Sequence, residues 1–196
     1  LAEKYGAKLT VVHTEMVFPP AYFSEYALDQ IRYTTKQQVK ETENHLKRTV
    51  REAIGDQVTW ETRVICAVPA EGIMRTAGQI GADMIVLGTH GRTGFSRLLL
   101  GSVAERVFRE AKVPVLTVHR ENHGTKTGSL PFKKILCPVN YTKAARTSMA
   151  YAVDMAQKFG SELIVMNILE DGVDSSKEMK QAEQNLLAWV PEEIRA

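Results

Sequence analysis

The segment LAEKYGAKLTVVHTEMVF (1–18) aligns without a gap onto MAQKFGSELIVMNILEDG (155–172), an offset of 155 − 1 = 154 residues. Ala2 meets Ala156, Tyr5 meets Phe159, Gly6 meets Gly160, Leu9 meets Leu163 and Val11 meets Val165. Each copy reads as the end of a helix, a glycine stop and a buried strand. A period of this length is that of a domain and not of a solenoid unit. The second copy has a lead-in: the short apolar strand KKILCPVN (133–140), then an amphipathic helix from Thr142 to Lys158 with Ala145, Met149, Ala152 and Ala156 on one side. The first copy has none. The chain therefore reads as most of one repeat without its first strand, followed by the front of a second.

Between the copies, apolar runs alternate with amphipathic ones. Strands are expected at Lys8–Thr14, Val58–Cys66, Met84–Leu87 and Val115–His119, and helices at about Ser24–Ile54, Pro69–Gln79 and from Ser102 onward. The stripe Ile31, Val39, Leu46, Val50 and Ile54 marks the long helix. Strands alternating with helices imply an α/β fold with a parallel sheet covered on both faces. The polar stretch Arg120–Leu130 reads as a linker. The expected domains are 1–121 and 132–196, joined by 122–131.

With 25 Lys+Arg against 23 Asp+Glu, the net charge of +2 argues against a nucleic-acid or membrane-surface partner. No apolar run approaches the ~20 residues of a membrane span, and the opening residues lack the order of a secretory signal. A cytoplasmic protein is the expectation. Cys66 and Cys137 have no metal-ligand spacing and read as small core residues.

The stretch GTHGRTGFSRLLLGSVAERV (88–107) follows the strand Met84–Leu87, at the carboxyl end where parallel sheets gather their ligands. It is neither a Walker loop nor a GxGxxG fingerprint. Gly88 and Gly91 let the backbone turn tightly and approach a bound group without a Cβ in the way. Gly101-Ser102 then opens a helix whose free N–H groups favour an anion, a geometry suited to a polyphosphate. Ser102-Val-Ala-Glu105 is also a capping box, so Ser102 reads both as a cap and as a phosphate contact. Arg92 reads equally as a phosphate partner and as a solvated loop residue. The run Leu98-Leu99-Leu100 is expected to pack under the loop or to join an interface.

The stretch MIVLGTHGRTGFSRLLLGSVAERVFREAKVPVLTV (84–118) resembles the signature region of the universal stress protein family, ATP-binding type. KKILCPVNYTKAARTSMAYAVDMAQKFGSELIVMNIL (133–169) is similar to that family's opening strand, helix and second strand. The resemblance implies a Rossmann-like, adenine nucleotide alpha hydrolase-like domain, with an open five-stranded parallel sheet in the order 3-2-1-4-5, repeated in tandem. It implies phosphate contacts at Gly88, Gly91, Gly101, Ser102 and Val103, with Leu87 flanking the ribose or base and Thr14, after His13, at the adenine. The family's first strand usually ends in an Asp on the adenine and ribose side. Asn140 stands there in the second repeat, keeping hydrogen-bonding capacity without the charge. The strand ending at Asn140 is expected to fill the empty central place of the first repeat, from the same chain or a neighbouring copy.

The resemblance further implies ATP as ligand, with ADP or AMP as alternatives and Mg²⁺ as a companion ion. It also implies edge pairing through Val115–His119, either between two chains as a homodimer or between repeats. No catalytic constellation stands out, so any ATP hydrolysis is expected to be slow and incidental. Three readings remain open: a nucleotide-binding stress-response or signalling module, an interaction module with a vestigial pocket, and a slow adenine nucleotide hydrolase.

Overall fold

The computed structural model describes residues 1–16, 25–89, 101–118, 132–169, 176–190 and 192, and the side chains of all of these except 25–32, 176 and 177. The chain divides into two compact units, Leu1–Thr125 and Lys126–Ala196.

The first unit runs α1 (Ala2–Tyr5), β1 (Leu9–Glu15), α2 (Glu25–Ile54), β2 (Trp60–Cys66), α3 (Pro69–Ile80), β3 (Ile85–Gly88), α4 (Ser102–Glu110) and β4 (Val115–Val118). The second runs β5 (Lys134–Val139), α5 (Lys143–Phe159), β6 (Glu162–Asn167) and α6 (Ser176–Trp189). These elements follow the apolar periodicity closely. Gly6 and Gly160 both end a helix in the left-handed conformation, at φ 61° and 64°, and a strand follows each.

All described strand pairings are parallel, so the fold is α/β with parallel strands. They form three two-stranded sheets, β1–β2, β3–β4 and β5–β6, and not one sheet of five. In the order 3-2-1-4-5, β1–β2 and β3–β4 are the pairs on either side of the central strand. No described strand joins them here. β5 is taken up by β6 within the second unit's own sheet, so the filling of the first repeat by β5 of the same chain is not seen in the strand pairing.

In the first unit, α2 covers one face of β1–β2. Its Val50 is buried, and Val39, Leu46 and Ile54 are half-buried. Of the expected stripe, only the Ile31 side chain lies outside the described residues. The Trp60 indole N–H donates to the Gly55 carbonyl at 3.0 Å, which closes the α2–β2 turn. The opposite face takes α3. There Gly72 brings the helix so close that a Cβ would sit 3.0 Å from the Thr14 methyl and 3.2 Å from the Ala67 Cβ. The same helix builds the core next to it, where Ala70, Ile85 and Val107 are buried and Ile73, Met74, Leu87 and Val103 pack around them.

The second unit packs Cys137, Val139, Ala145, Met149 and Ala152 between β5–β6 and α5, with Leu186 and Trp189 of α6 against the same cluster. Cys137 is buried as expected, and burial pushes its thiol pKa up. Cys66 departs from expectation. It is exposed, because β2 reaches its carboxyl end there and the chain turns toward α3.

Two outcomes follow. Gly72→Val lowers stability by about 1–3 kcal/mol through overpacking, whereas Gly78→Ala on the same helix, with nothing within 4 Å of an added Cβ, raises it by about 0.5–1 kcal/mol. Urea unfolding of both variants measures this. In native protein at mildly alkaline pH, iodoacetamide modifies Cys66 well before Cys137, and peptide mass spectrometry reads the order.

Candidate functional site

The described part of the glycine-rich region is a corner between β3 and α4. The Thr89 N–H donates to the Val118 carbonyl at 3.0 Å, extending the β3–β4 ladder by one residue. The Gly101 N–H donates to the Thr89 carbonyl at 2.7 Å. This bond ties together the two described residues on either side of 90–100 and sets the first turn of α4 beside the carboxyl end of β3. Gly91, Arg92 and the run Leu98-Leu99-Leu100 lie outside the described residues.

Gly101 is the residue that precedes α4, with extended backbone (φ −59°, ψ 146°), and its carbonyl accepts the Glu105 N–H at 2.8 Å. Among the described residues no side chain caps the helix. The expected capping box is therefore not formed. Ser102 is the first helical residue and sits one position too far along for its hydroxyl to reach back over the first turn. The Glu105 carboxylate is used elsewhere, paired with Arg109. The consequence is an α4 N-terminus without a side-chain acceptor among the described residues, beside an exposed Gly88 and an exposed Ser102. Arg106, one turn further on, reaches Glu71 of α3 at 3.0 Å and Glu110 at 3.1 Å, and so braces α4 against α3.

Leu87 and Val103 flank the same corner, but both side chains are packed into the core around Val107. Backbone groups are what these positions present at the corner. Thr14 lies at the carboxyl end of β1, opposite Ile65, with its methyl against α3. It belongs to the same unit as the corner and shares α3 with it. Sequence reasoning passed over two residues that shape this region. One is Thr89, whose carbonyl takes the Gly101 bond. The other is Gly72, whose signal was a glycine in the middle of an otherwise good helix, PAEGIMRTAGQI.

Asn140 is in the second unit, directly after β5. Its Oδ1 accepts from the Thr142 hydroxyl at 2.7 Å and from the Thr142 N–H at 3.4 Å. Thr142 in turn caps α5, its Oγ1 accepting the Ala145 N–H at 3.2 Å. Tyr141 between them has a positive φ of 61°, and its ring meets Trp189 edge-on at 5.8 Å. The Asn140 amide oxygen thus holds the turn that starts α5. Among the described residues no cluster of three or more His, Cys, Asp or Glu could hold a metal ion. No described helix is long and apolar enough to cross a membrane.

The family model for the universal stress protein family matches residues 1–119, more than half of the chain. The chain belongs to the universal stress protein family. A universal stress protein of Methanocaldococcus jannaschii is 43% identical over 81 residues, which is 41% of this chain and 48% of that protein. One of Bacillus subtilis is 30% identical over 126 residues, 60% of this chain and 83% of that protein. The match thus spans about half the length of the first relative. A crystal structure of a universal stress protein from Archaeoglobus fulgidus superposes with a TM-score of 0.59 at 21% identity, covering 95% of this chain and 65% of that one. At that identity it supports the α/β, Rossmann-like fold.

Thr142→Ala removes both the α5 cap and the partner of Asn140, and lowers stability by about 1 kcal/mol. Asn140→Asp keeps the acceptor and stays within about 0.5 kcal/mol of the parent. Thermal unfolding of the two variants side by side tests the assignment.

Proposed function

We propose that this universal stress protein binds an adenine nucleotide, ATP in the first instance, at the β3–α4 corner and acts as a stress-response or signalling module. The observation that carries the proposal is the bond between the Gly101 N–H and the Thr89 carbonyl. It holds an α4 N-terminus that no described side chain caps at the carboxyl end of a parallel pair, where backbone N–H groups suit a phosphate. Gly88, Gly101, Ser102 and Val103 would meet the phosphates through main chain and hydroxyl, together with Gly91 and Arg92. Leu87 and Thr14 would flank the ribose and adenine, and Mg²⁺ would arrive with the triphosphate.

The remaining parts of the reading rest on the family and on the repeat. Residues 1–121 and 132–196 are the two universal stress protein domains, joined by 122–131, and a complete domain has the sheet order 3-2-1-4-5. Val115–His119 is the edge through which chains or repeats pair, and the protein works in the cytoplasm. Slow hydrolysis of the bound nucleotide is the least favoured role.

A second reading, an interaction module that binds no nucleotide, draws on Asn140. Its side chain is engaged in the turn that starts α5, where the family pattern has an Asp on the adenine and ribose side.

Calorimetric titration of the full chain with ATP and Mg²⁺ is expected to give saturable binding. Gly101→Val, which adds a branched side chain at the phosphate approach, is expected to weaken that binding at least tenfold, about 1.4 kcal/mol, while circular dichroism is unchanged. No binding by the parent chain supports the interaction module instead.

A further inference from the structure

β2 carries its own instructions for a partner. It pairs with β1 on one side, and no described strand lies on the other. The Leu9 N–H donates to the Thr59 carbonyl at 2.9 Å, and the Ala67 N–H donates to the Glu15 carbonyl at 3.1 Å. In a parallel ladder alternate residues of a strand face the same neighbour. Glu61, Arg63 and Ile65 therefore turn their backbone groups to β1, and Trp60, Thr62, Val64 and Cys66 turn theirs to the open edge.

The backbone of that edge is open, and its two charged residues, Glu61 and Arg63, are of opposite sign. Over Trp60–Cys66 it contains no proline, glycine or lysine, and all seven residues pair with β1 in unbroken register, without a bulge. A cavity of about 470 Å³ runs along it, lined by the four consecutive residues Thr62 to Ile65 and flanked by Glu43 of α2 and Arg75 of α3. Consecutive strand residues point to opposite faces, so one cavity can touch all four only along the strand's edge. The Thr62 hydroxyl is buried there and has no hydrogen-bond partner among the described residues.

We propose that this edge is a self-association surface, in which β2 pairs antiparallel with β2 of a second copy about a two-fold axis at Thr62. The outward backbone groups fit this register. Thr62 meets Thr62 of the second copy as a hydrogen-bonded pair, and Trp60 meets Val64 of the second copy, an aromatic to β-branched pair. Glu61 and Arg63 fall on the same face of the strand and become cross-strand partners. Glu61 of each copy stands opposite Arg63 of the other in non-hydrogen-bonded positions, where side chains are closest.

The charges select this register over its neighbours. An axis at Arg63 sets two guanidinium groups against each other, and an axis at Val64 gives neither charge a partner across the strands, leaving only their pairs within the chain. The axis at Thr62 also brings the two Thr62 side chains together, and Thr–Thr pairs can bond across strands. The interface is isologous, as a closed two-fold dimer requires. It lies on a different strand from the Val115–His119 edge and does not depend on nucleotide binding.

The test uses the full chain in sedimentation velocity over a micromolar concentration series. The parent is expected to dimerise. Arg63→Glu places Glu opposite Glu, and Glu61→Arg places Arg opposite Arg, so each variant alone raises the dimer dissociation constant at least tenfold. An equimolar mixture of the two restores complementary pairs at both positions and recovers the dimer, which also shows that both variants fold. Thr62→Pro, which removes an outward N–H and leaves the β1 ladder intact, weakens the dimer likewise. A monomeric parent overturns the proposal, as does a sedimentation profile that none of the three substitutions changes; a residual dimer that persists after a β2-dependent step is lost belongs to another edge.

Discussion

The seating of α3 is the contact on which the first unit depends. At Gly72 the helix sits so close to β1 and to Ala67 that an added Cβ would lie 3.0 Å from the Thr14 methyl and 3.2 Å from the Ala67 Cβ, a tight fit that requires its neighbours to give way. From there its Ala70, Ile73, Met74 and Ala77 reach the cluster around Val107 that joins β3, β4 and α4. One helix thus packs against both two-stranded sheets of the unit. A parallel strand pair with only one covered face has little stability by itself, so the helix that spans two pairs carries a disproportionate share of the fold. The buried Thr76 hydroxyl, which donates to the Gly72 carbonyl at 2.7 Å, satisfies a polar group inside that seat.

The same seat positions the candidate site. α3 fixes the cluster into which Leu87 and Val103 insert, and those two residues set where β3 ends and α4 begins. With the side chains committed to packing, backbone N–H groups and the Ser102 hydroxyl remain for any ligand. That division suits an anion, since main-chain donors at a helix start need no flexible side chain to be ordered on binding. The bond between Gly101 and Thr89 is what makes the corner a fixed geometry and not just a glycine-rich sequence.

A family built on parallel sheets also has to manage strand edges, and the two edges treated above differ in kind. Val115–His119 was expected as an edge from the family pattern. The β2 edge stands out by physical criteria alone: outward backbone groups, alternating opposite charge and a covered hydroxyl without a partner among the described residues. Its surroundings are highly charged. Glu61 accepts from Lys8 and Arg63, and its carboxyl is held below the usual range chiefly by Lys8. Solvent screens such exposed pairs, so their weight lies in choosing a register and not in holding the unit together.

Much of this was legible before any coordinates, because it is local. Helix and strand periods, the glycine stops at Gly6 and Gly160 and the strand-to-helix position of the glycine loop are written in residues a few places apart, and backbone sterics act over that range. Family membership followed from the run 84–118 for the same reason. What tertiary structure decided were matters of one-residue register and of partners far away in sequence. Ser102 became the first helical residue instead of the cap, because the Thr89 carbonyl fixed Gly101 one place earlier. Asn140 became tied to Thr142 at the exposed start of α5, and Cys66 came to lie at an exposed strand end. Which backbone groups of β2 face outward depended on the register against β1. Each is set by a contact between segments whose spacing the local pattern does not encode. The sequence by itself determined the elements and the family, while hydrogen-bond register and side-chain packing decided what each functional position presents.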